Sequence, residues 1–165
     1  MAYEIERKYL IEYPDIAQLE MYPDSSKSEI AQTYLKTDDG MTSRLRVRTE
    51  SGVTKYIFTE KKRITDVKCI ENEREIEREE YEELLKLADP ERKTVYKTRY
   101  CLPYAGRVVE VDIYPFWSDR AIAEVEMESE DEEVKLPDFI KVIRDVTAEK
   151  AYKNASIAKK IPVDC

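Results

Sequence analysis

Residues 3–11 read YEIERKYLI, and charged side chains alternate with aromatic or aliphatic ones along most of this segment. Such alternation is typical of a β-strand, in which successive side chains point to opposite faces. Glu4, Glu6 and Lys8 then share one face, and the Tyr and Ile residues share the other together with Arg7. A half-buried strand usually buries its apolar face and leaves its charges in water. The fold depends on whether this strand follows that rule.

Length and charge restrict the class of protein. The 165 residues predict a single domain, residues 1–165, with room for a sizeable core. Charged residues make up 39% of the chain and the formal net charge is -8, which argues against general binding to nucleic acid or to an anionic membrane. We therefore expect no nucleic-acid partner and no membrane partner, and an anionic ligand would need a local cluster of cations.

The sequence also predicts the compartment. No apolar run approaches the roughly 20 residues that a helix needs to cross a bilayer. The start of the sequence lacks the basic region and apolar stretch of a secretory signal. We therefore expect a cytoplasmic protein.

Residue types that are absent narrow the chemistry. The chain has no histidine, which excludes Ser-His-Asp and Cys-His catalysis and imidazole-ligated metals. None of its three glycines lies in a GxxxxGK or GxGxxG context, so a P-loop and a dinucleotide fingerprint are excluded. Cys69, Cys101 and Cys165 lack CxxC spacing and predict neither a disulfide framework nor a zinc site. If phosphate is bound, side chains must bind it.

Short segments with a period of two dominate the chain and predict strands. Turns are predicted at 38–40 and 51–52. After the first strand, the predicted strands are 30–36, 43–50, 54–61, 71–78, 95–101, 107–114 and 121–128. Helices are predicted at 14–21, 78–88, 137–145 and 148–160. The sequence therefore predicts an α+β fold with an antiparallel sheet of about eight strands, enough to close into a barrel.

Charges on these strands are sorted by face and by sign. The basic rows are Arg44, Arg46 and Arg48 on one strand and Lys97 and Arg99 on another. The acidic rows are Glu73, Glu75 and Glu77, then Glu110 and Asp112, then Glu124, Glu126 and Glu128. Like charges at adjacent positions on one face repel each other. A ligand of opposite charge between them would relieve that repulsion.

Two interpretations of these rows stay open at this point. In the first, the sheet turns a charged face to solvent, as most charged rows do. In the second, a barrel has a polar interior and packs its apolar faces outward against helices. Separation of the signs favours the second, because a solubilising surface does best with mixed charges. Carboxylates suit Mg²⁺ or Mn²⁺, and arginines and lysines suit phosphate oxygens, so the second interpretation predicts a metal-bound polyphosphate.

The order of these motifs resembles that of the CYTH superfamily, also called triphosphate tunnel metalloenzymes. Residues 4–8 (EIERK) are similar to the ExExK signature of the family, and the resemblance extends over roughly residues 3–158. The further matching segments are Arg46-Val47-Arg48, Thr59-Glu60-Lys61, Glu73-Arg74-Glu75, Tyr96 to Tyr100, Glu110-Val111-Asp112, Glu124-Val125-Glu126 and Val146 to Asn154. The chain departs from the family pattern at 114–119, where one mouth of a tunnel would be reshaped, and at Arg44, an added cation.

The resemblance implies a closed antiparallel eight-stranded β-tunnel with a polar, charged interior and helices packed outside. Glu4, Glu6, Asp112, Glu124 and Glu126 would bind Mg²⁺ or Mn²⁺. Lys8, Arg46, Arg48, Lys61, Lys97, Arg99, Lys150 and Lys153 would bind the substrate. The catalytic residues would be Glu4, Glu6, Lys8 and Arg48.

The implied function is metal-dependent hydrolysis of inorganic triphosphate or of an organic or nucleoside triphosphate. The expected partner is therefore a small-molecule triphosphate, and assembly into a homodimer is left open. One alternative is the activity of a thiamine triphosphatase or of a class IV adenylyl cyclase. Another is a non-catalytic module that binds polyphosphate or nucleotide.

Overall fold

Nine strands form one antiparallel sheet in a computed structural model that describes residues 2–38 and 40–162. The strands are β1 (Ala2–Glu12), β2 (Ser26–Tyr34), β3 (Met41–Glu50), β4 (Val53–Arg63), β5 (Lys68–Ile76), β6 (Val95–Tyr104), β7 (Arg107–Ile113), β8 (Arg120–Glu126) and β9 (Val142–Asp145). The helices are α1 (Ile16–Met21), α2 (Arg78–Leu85) and α3 (Asn154–Ile157), and a 3₁₀ turn spans Lys150–Tyr152. None of these helices is long and apolar enough to cross a membrane.

The sheet closes on itself through β1. Its order is β5-β4-β3-β2-β6-β7-β8-β1, and residues 2–5 of β1 pair with residues 68–71 of β5. Residues 6–12 of β1 pair with β8 on the other edge. These pairings confirm the predicted closed eight-stranded antiparallel barrel. The ninth strand, β9, pairs with β1 at residues 9–11, beyond the segment that contacts β5.

Two predictions at the C-terminal end were wrong. The helix predicted at 137–145 is a turn that leads into β9, because the second half of β1 has an open edge that backbone pairing can satisfy. The helix predicted at 148–160 is reduced to the 3₁₀ turn and the single turn of α3. The two-residue turn at Ser51-Gly52 is confirmed, with φ of 51° and 78°. In the turn predicted at 38–40, Asp39 lies outside the described residues.

The apolar faces of the strands point outward and are covered from outside. On β3, β4 and β5 the outer face packs against α2 through Leu45, Ile76 and their neighbours. On the opposite side, β1, β6, β7 and β8 bury an apolar layer under α1 and the segment 134–140. A large aliphatic side chain buried in this way contributes about 1.5–3 kcal/mol. The structure therefore has the predicted inverted arrangement, with apolar faces outside and charged faces inside.

One end of the barrel interior is apolar. Leu10, Ile122 and Tyr114 pack there with Val95, Tyr34 and residues of the C-terminal segment, and we call this cluster the plug. Trp117 lies against it, with its ring centroid 5.5 Å from that of Tyr114 and 6.2 Å from that of Tyr152. The segment 114–119, which departs from the family pattern, thus helps to fill this end.

Packing of the plug is testable at Ile122, which is fully buried. We expect Ile122→Ala to lower the free energy of unfolding by about 2–5 kcal/mol, because it removes three buried side-chain carbon atoms and leaves a cavity. Urea unfolding measures this change. The control Leu87→Ala, at a side chain that is 56% exposed, should change it by less than about 0.5 kcal/mol. Equal effects at both positions would contradict the described packing.

Candidate active site

A cavity of about 530 Å³ lies inside the barrel, next to the plug. Charged side chains from seven strands and from the C-terminal segment line it. They meet there because inward positions recur every second residue on each strand and the ladder register sets them opposite one another. The cavity has an acidic side on β1, β7 and β8 and a basic side on β3.

The acidic side contains carboxylates that directly oppose each other. Glu6 is the cross-strand partner of Glu126, and Glu110 is the partner of Glu124. Like charges in such positions destabilise a sheet. Within the described part of the chain, neither Glu6 nor Glu126 has a hydrogen bond or ion pair to its carboxylate.

The pKa values of these carboxyl groups reflect their burial and their repulsion. Burial, and then the charge of Glu124, raises the pKa of the Glu6 carboxyl. Burial, and then Glu4, raises that of Glu126. Burial also raises the pKa of Glu110, although Arg99 acts against it. A divalent cation would relieve these repulsions, and carboxylate oxygens are suitable ligands for a hard cation, so the donor set fits such an ion.

A second group of possible ligands lies at Glu4, Cys69 and Glu71, whose donor atoms are within 4.8 Å of one another. Lys61 already occupies this group, since its Nζ is 3.2 Å from Glu4 Oε2 and 3.1 Å from Glu71 Oε2. Lys8 has a similar place on β1, with its Nζ 3.1 Å from Glu124 Oε1. These two lysines therefore join the basic and acidic parts of the cavity.

The arginines of β3 are held by polar side chains of β2. Arg46 donates from Nε and Nη2 to Gln32 Oε1 at 3.3 and 3.0 Å. Arg48 donates from Nε to Ser28 Oγ at 3.0 Å. Burial, and then the charges of Arg44 and Arg99, lowers the pKa of Arg46 to about 9. Positive charge on this side therefore exceeds what nearby groups neutralise, which favours an anionic ligand.

Two predicted site residues lie behind the cavity wall. Asp112 accepts from Arg99 Nε at 2.8 Å and from Arg99 Nη2 at 2.9 Å, and Lys97 Nζ is 2.9 Å from its Oδ2. The side chains of Lys97 and Asp112 are completely buried. Burial alone would raise the pKa of Asp112, but Arg99 and Lys97 lower it to about 2. Arg99 reaches the cavity, whereas Lys97 and Asp112 do not line it.

The structure brings most of the other predicted residues together. The cavity is lined by Glu4, Glu6, Lys8, Arg46, Arg48, Lys61, Arg99, Glu124, Glu126, Lys150 and Lys153. From the acidic row on β5, Glu73 lines it, but Glu75 is exposed and Glu77 is the N-cap of α2. Sequence reasoning missed Glu71 as a site residue, although it shares the parity of Glu73. It also missed Arg63, which lines the cavity. The only signal for Arg63 in the sequence is that it lies two residues after Lys61 and therefore on the same face of β4.

The chain is similar over nearly its whole length to proteins of one family. The model of the CYTH domain matches residues 2–161. The crystal structure of the inorganic triphosphatase NE1496 is 31% identical, with a TM-score of 0.59 over 99% of both chains. Proteins of Pyrococcus horikoshii and Pyrococcus furiosus, 18% and 22% identical, each have a TM-score of 0.58 over 78% of this chain and 80% of their own, and show the fold alone. No curated protein was found to match.

The repulsion at Glu6 predicts a pH-dependent gain in stability on its removal. Because the folded state raises the pKa of this carboxyl, ionising it with rising pH costs the folded state free energy. We expect metal-free Glu6→Gln to have a Tm a few degrees above that of the unmodified chain at neutral pH. The difference should disappear below the ordinary pKa of glutamate. Thermal unfolding in EDTA at several pH values measures it, and a lower Tm at neutral pH would contradict it.

Proposed function

The chain belongs to the CYTH domain family, and we propose that it is a divalent-metal-dependent triphosphatase. Its substrate would be inorganic triphosphate or an organic triphosphate, cleaved at a phosphoanhydride bond. The observation that carries this proposal is the pairing, inside one cavity, of unneutralised carboxylates on β1 and β8 with an excess of cations on β3. A pure anion-binding module has no need for the first of these two sets.

Glu6 and Glu126, with Glu124 and Glu4 beside them, would hold Mg²⁺ or Mn²⁺. Glu6 and Glu126 are the best placed because no cation of the described chain is bonded to them. When bound, the cation supplies charge neutralisation at the phosphoryl oxygens and polarises the bond to be broken. For Asp112 we propose a supporting role instead, since both of its oxygens already accept from Arg99.

The basic side chains would bind and orient the phosphate chain. Arg46 and Arg48 are held in place by β2, so their remaining N–H groups are available in a fixed direction. Arg99 is fixed in the same way by Asp112, with Lys97 behind it. Lys8 and Lys61 neutralise charge from the acidic side, and Lys150 and Lys153 do so from the C-terminal segment. Such preorganised cations stabilise the charge that develops on the transferred phosphoryl group and on the leaving group.

Hydrolysis would proceed by in-line attack of water on a phosphorus atom at the end of the chain. A phosphorus–oxygen bond forms to the water, the bond to the bridging oxygen breaks, and the bridging oxygen leaves with its electron pair. The proton of the water would pass to a carboxylate of the acidic side. Glu110 lines the cavity, and burial raises the pKa of its carboxyl, which makes it a stronger proton acceptor than an exposed glutamate.

Phosphate release tests the proposal. Inorganic triphosphate, ATP and thiamine triphosphate would each be incubated with Mg²⁺, Mn²⁺ or EDTA, and cyclic AMP would be assayed in the ATP reactions. We expect metal-dependent release of phosphate. Cyclic AMP would instead assign the cyclase alternative, and binding of triphosphate without any turnover would assign the non-catalytic one.

Replacement of Glu6 should separate activity from folding. We expect Glu6→Gln to lower kcat/KM by more than about 100-fold. Loss of an outer-shell partner of a metal site costs up to about that much, and Glu6 would be a direct ligand. Its fold should be retained, as judged by circular dichroism. Glu12→Gln is the matched control, since Glu12 is an exposed residue of the same strand that does not line the cavity. A Glu6→Gln variant with full metal-dependent activity would contradict the assignment of the metal site.

The pH dependence of substrate binding should report on Lys153. Burial, and then the charges of Arg63 and Lys8, lowers the pKa of this lysine to about 8. Its positive charge is therefore lost as the pH rises through that value, whereas an arginine stays charged. We expect KM for triphosphate to rise more steeply across about pH 8 in the unmodified chain than in Lys153→Arg. Parallel pH profiles of KM for the two proteins would exclude a role of Lys153 in binding.

A further inference from the structure

Gln32 of β2 is a neutral side chain buried among the charged residues of the barrel interior. It is completely buried and lies directly opposite Arg46 in the ladder between β2 and β3. Its Oε1 accepts from Arg46 Nε at 3.3 Å and from Arg46 Nη2 at 3.0 Å, and its Nε2 donates to the Tyr34 hydroxyl at 3.1 Å. Arg46 and Tyr34 line the cavity, whereas Gln32 does not. Any effect of Gln32 on a ligand therefore acts through these two neighbours.

The contacts of Gln32 fix the direction of its amide group. An arginine side chain carries only hydrogen-bond donors, so the amide oxygen must face Arg46. The amide nitrogen then faces Tyr34, whose hydroxyl accepts from it. Two donors of one guanidinium converge on one oxygen, and this restricts rotation of the Arg46 side chain. Tyr34 and Gln32 together thus hold Arg46 in one orientation.

Arg46 is held in a different way from other cations of the cavity. Lys8, Lys61 and Arg99 each have a carboxylate oxygen within 3.2 Å. Arg46 has no ion pair to any residue that the structure describes, and its hydrogen bonds there go to Gln32. The positive charge of Arg46 is thus oriented by Gln32 without being neutralised by it.

A carboxylate at position 32 would satisfy the same hydrogen bonds. Glutamate has the length of glutamine, and its two oxygens can accept from Arg46 and from the Tyr34 hydroxyl, which is able to donate as well as accept. Bonds between arginine and a carboxylate are also stronger than those to a neutral amide. Burial, and then the charges of Arg44 and Arg99, lowers the pKa of Arg46, and a carboxylate would oppose this. Stability of the free protein alone therefore gives no reason for an amide here.

We propose that Gln32 is a positioning residue for anion binding, which fixes the direction of the Arg46 guanidinium and, being neutral, leaves its charge available to a phosphate group in the cavity. This inference rests on the proposed function for the class of ligand. A carboxylate in place of the amide would compete with phosphate oxygens for the same guanidinium. An apolar side chain would leave the charge but release the orientation. The two properties can therefore be removed one at a time.

Three variants separate these properties. Gln32→Glu keeps acceptor oxygens and adds a negative charge, whereas Gln32→Met keeps the length of the side chain and removes both polar groups. Gln18→Glu is the matched control, because it makes the same change of charge at an exposed position of α1, at the other glutamine of the chain. Inorganic triphosphate would be titrated calorimetrically into each variant and into the unmodified chain, in EDTA to prevent metal-dependent turnover.

The order of the affinities tests the proposal. We expect Gln32→Glu to weaken binding of triphosphate by at least about tenfold, the loss of one hydrogen bond between charged groups. Gln32→Met should weaken it by about threefold, the cost of ordering a released side chain. Gln18→Glu should leave it unchanged, since an exposed charge is screened. If Gln32 served only to hold Arg46, Gln32→Glu would bind like the unmodified chain and Gln32→Met would bind most weakly, and that order would overturn the proposal.

Thermal unfolding of the ligand-free proteins distinguishes this role from a structural one. We expect Gln32→Glu to have a Tm equal to or above that of the unmodified chain at neutral pH, because the new carboxylate pairs with Arg46. Gln32→Met should have a lower Tm, because two buried donors of Arg46 lose their acceptor. Affinity and Tm then rank the two variants in opposite orders. A Tm of Gln32→Glu below that of Gln32→Met would show that folding itself requires the amide, and would overturn the proposal.

The proposed function and this inference can fail separately. A chain that hydrolyses triphosphate, but whose affinity for it is unchanged in Gln32→Glu, would overturn this inference alone. A chain that binds triphosphate with the expected order of affinities, yet releases no phosphate with any metal, would contradict the proposed function alone. Failure of the unmodified chain to bind triphosphate in EDTA would overturn the inference, since the charge of Arg46 would then serve no anion.

Discussion

Lys97, Asp112 and Arg99 form a buried ion-pair network, and the inside of the barrel is arranged around it. Asp112 contacts both cations at 2.8–2.9 Å, and its side chain and that of Lys97 are completely buried. Removing one member of such a network leaves an uncompensated buried charge, which typically costs about 3–5 kcal/mol. The register that pairs Arg99 with Asp112 across β6 and β7 is therefore strongly specified.

This network links the fold to the site. It fixes the guanidinium of Arg99, which then also reaches Glu110 at 2.9 Å on the acidic side of the cavity. On the other edge of β7, the register with β8 places Glu110 opposite Glu124, so two like charges face each other there. Stability is lost at Glu6, Glu110 and Glu126, whose carboxyl pKa values are raised, whereas the outward apolar faces and the plug supply it. Such a division is expected where a binding site needs groups that its own chain does not satisfy.

The sequence predicts the barrel well because charged and apolar residues alternate along its strands with a period of two, and each row of charged residues has one sign. Parity alone placed Glu4, Glu6 and Lys8 on the same face as one another, and the structure turns that face inward. Parity does not determine depth, which is why Asp112 and Lys97 share the inward side of their strands yet end behind the wall. Nor does parity determine where a strand begins. The strand β5 starts at Lys68, earlier than predicted, and Glu71 lines the cavity whereas Glu75 does not. The strand β9 is fixed by the open edge of β1, a tertiary feature that local spacing does not contain.

The sign of the charge inside the barrel differs from that of the whole molecule. Nine basic and seven acidic side chains line the cavity within the described chain, whereas the formal net charge of the protein is -8. At physiological ionic strength charges on the surface are screened beyond about 8 Å, while buried or partly buried charges are screened much less. A polyanion is thus weakly repelled at a distance and attracted only once it has entered. Its selection therefore depends on the fixed positions of individual cations, and not on steering by the field of the whole protein.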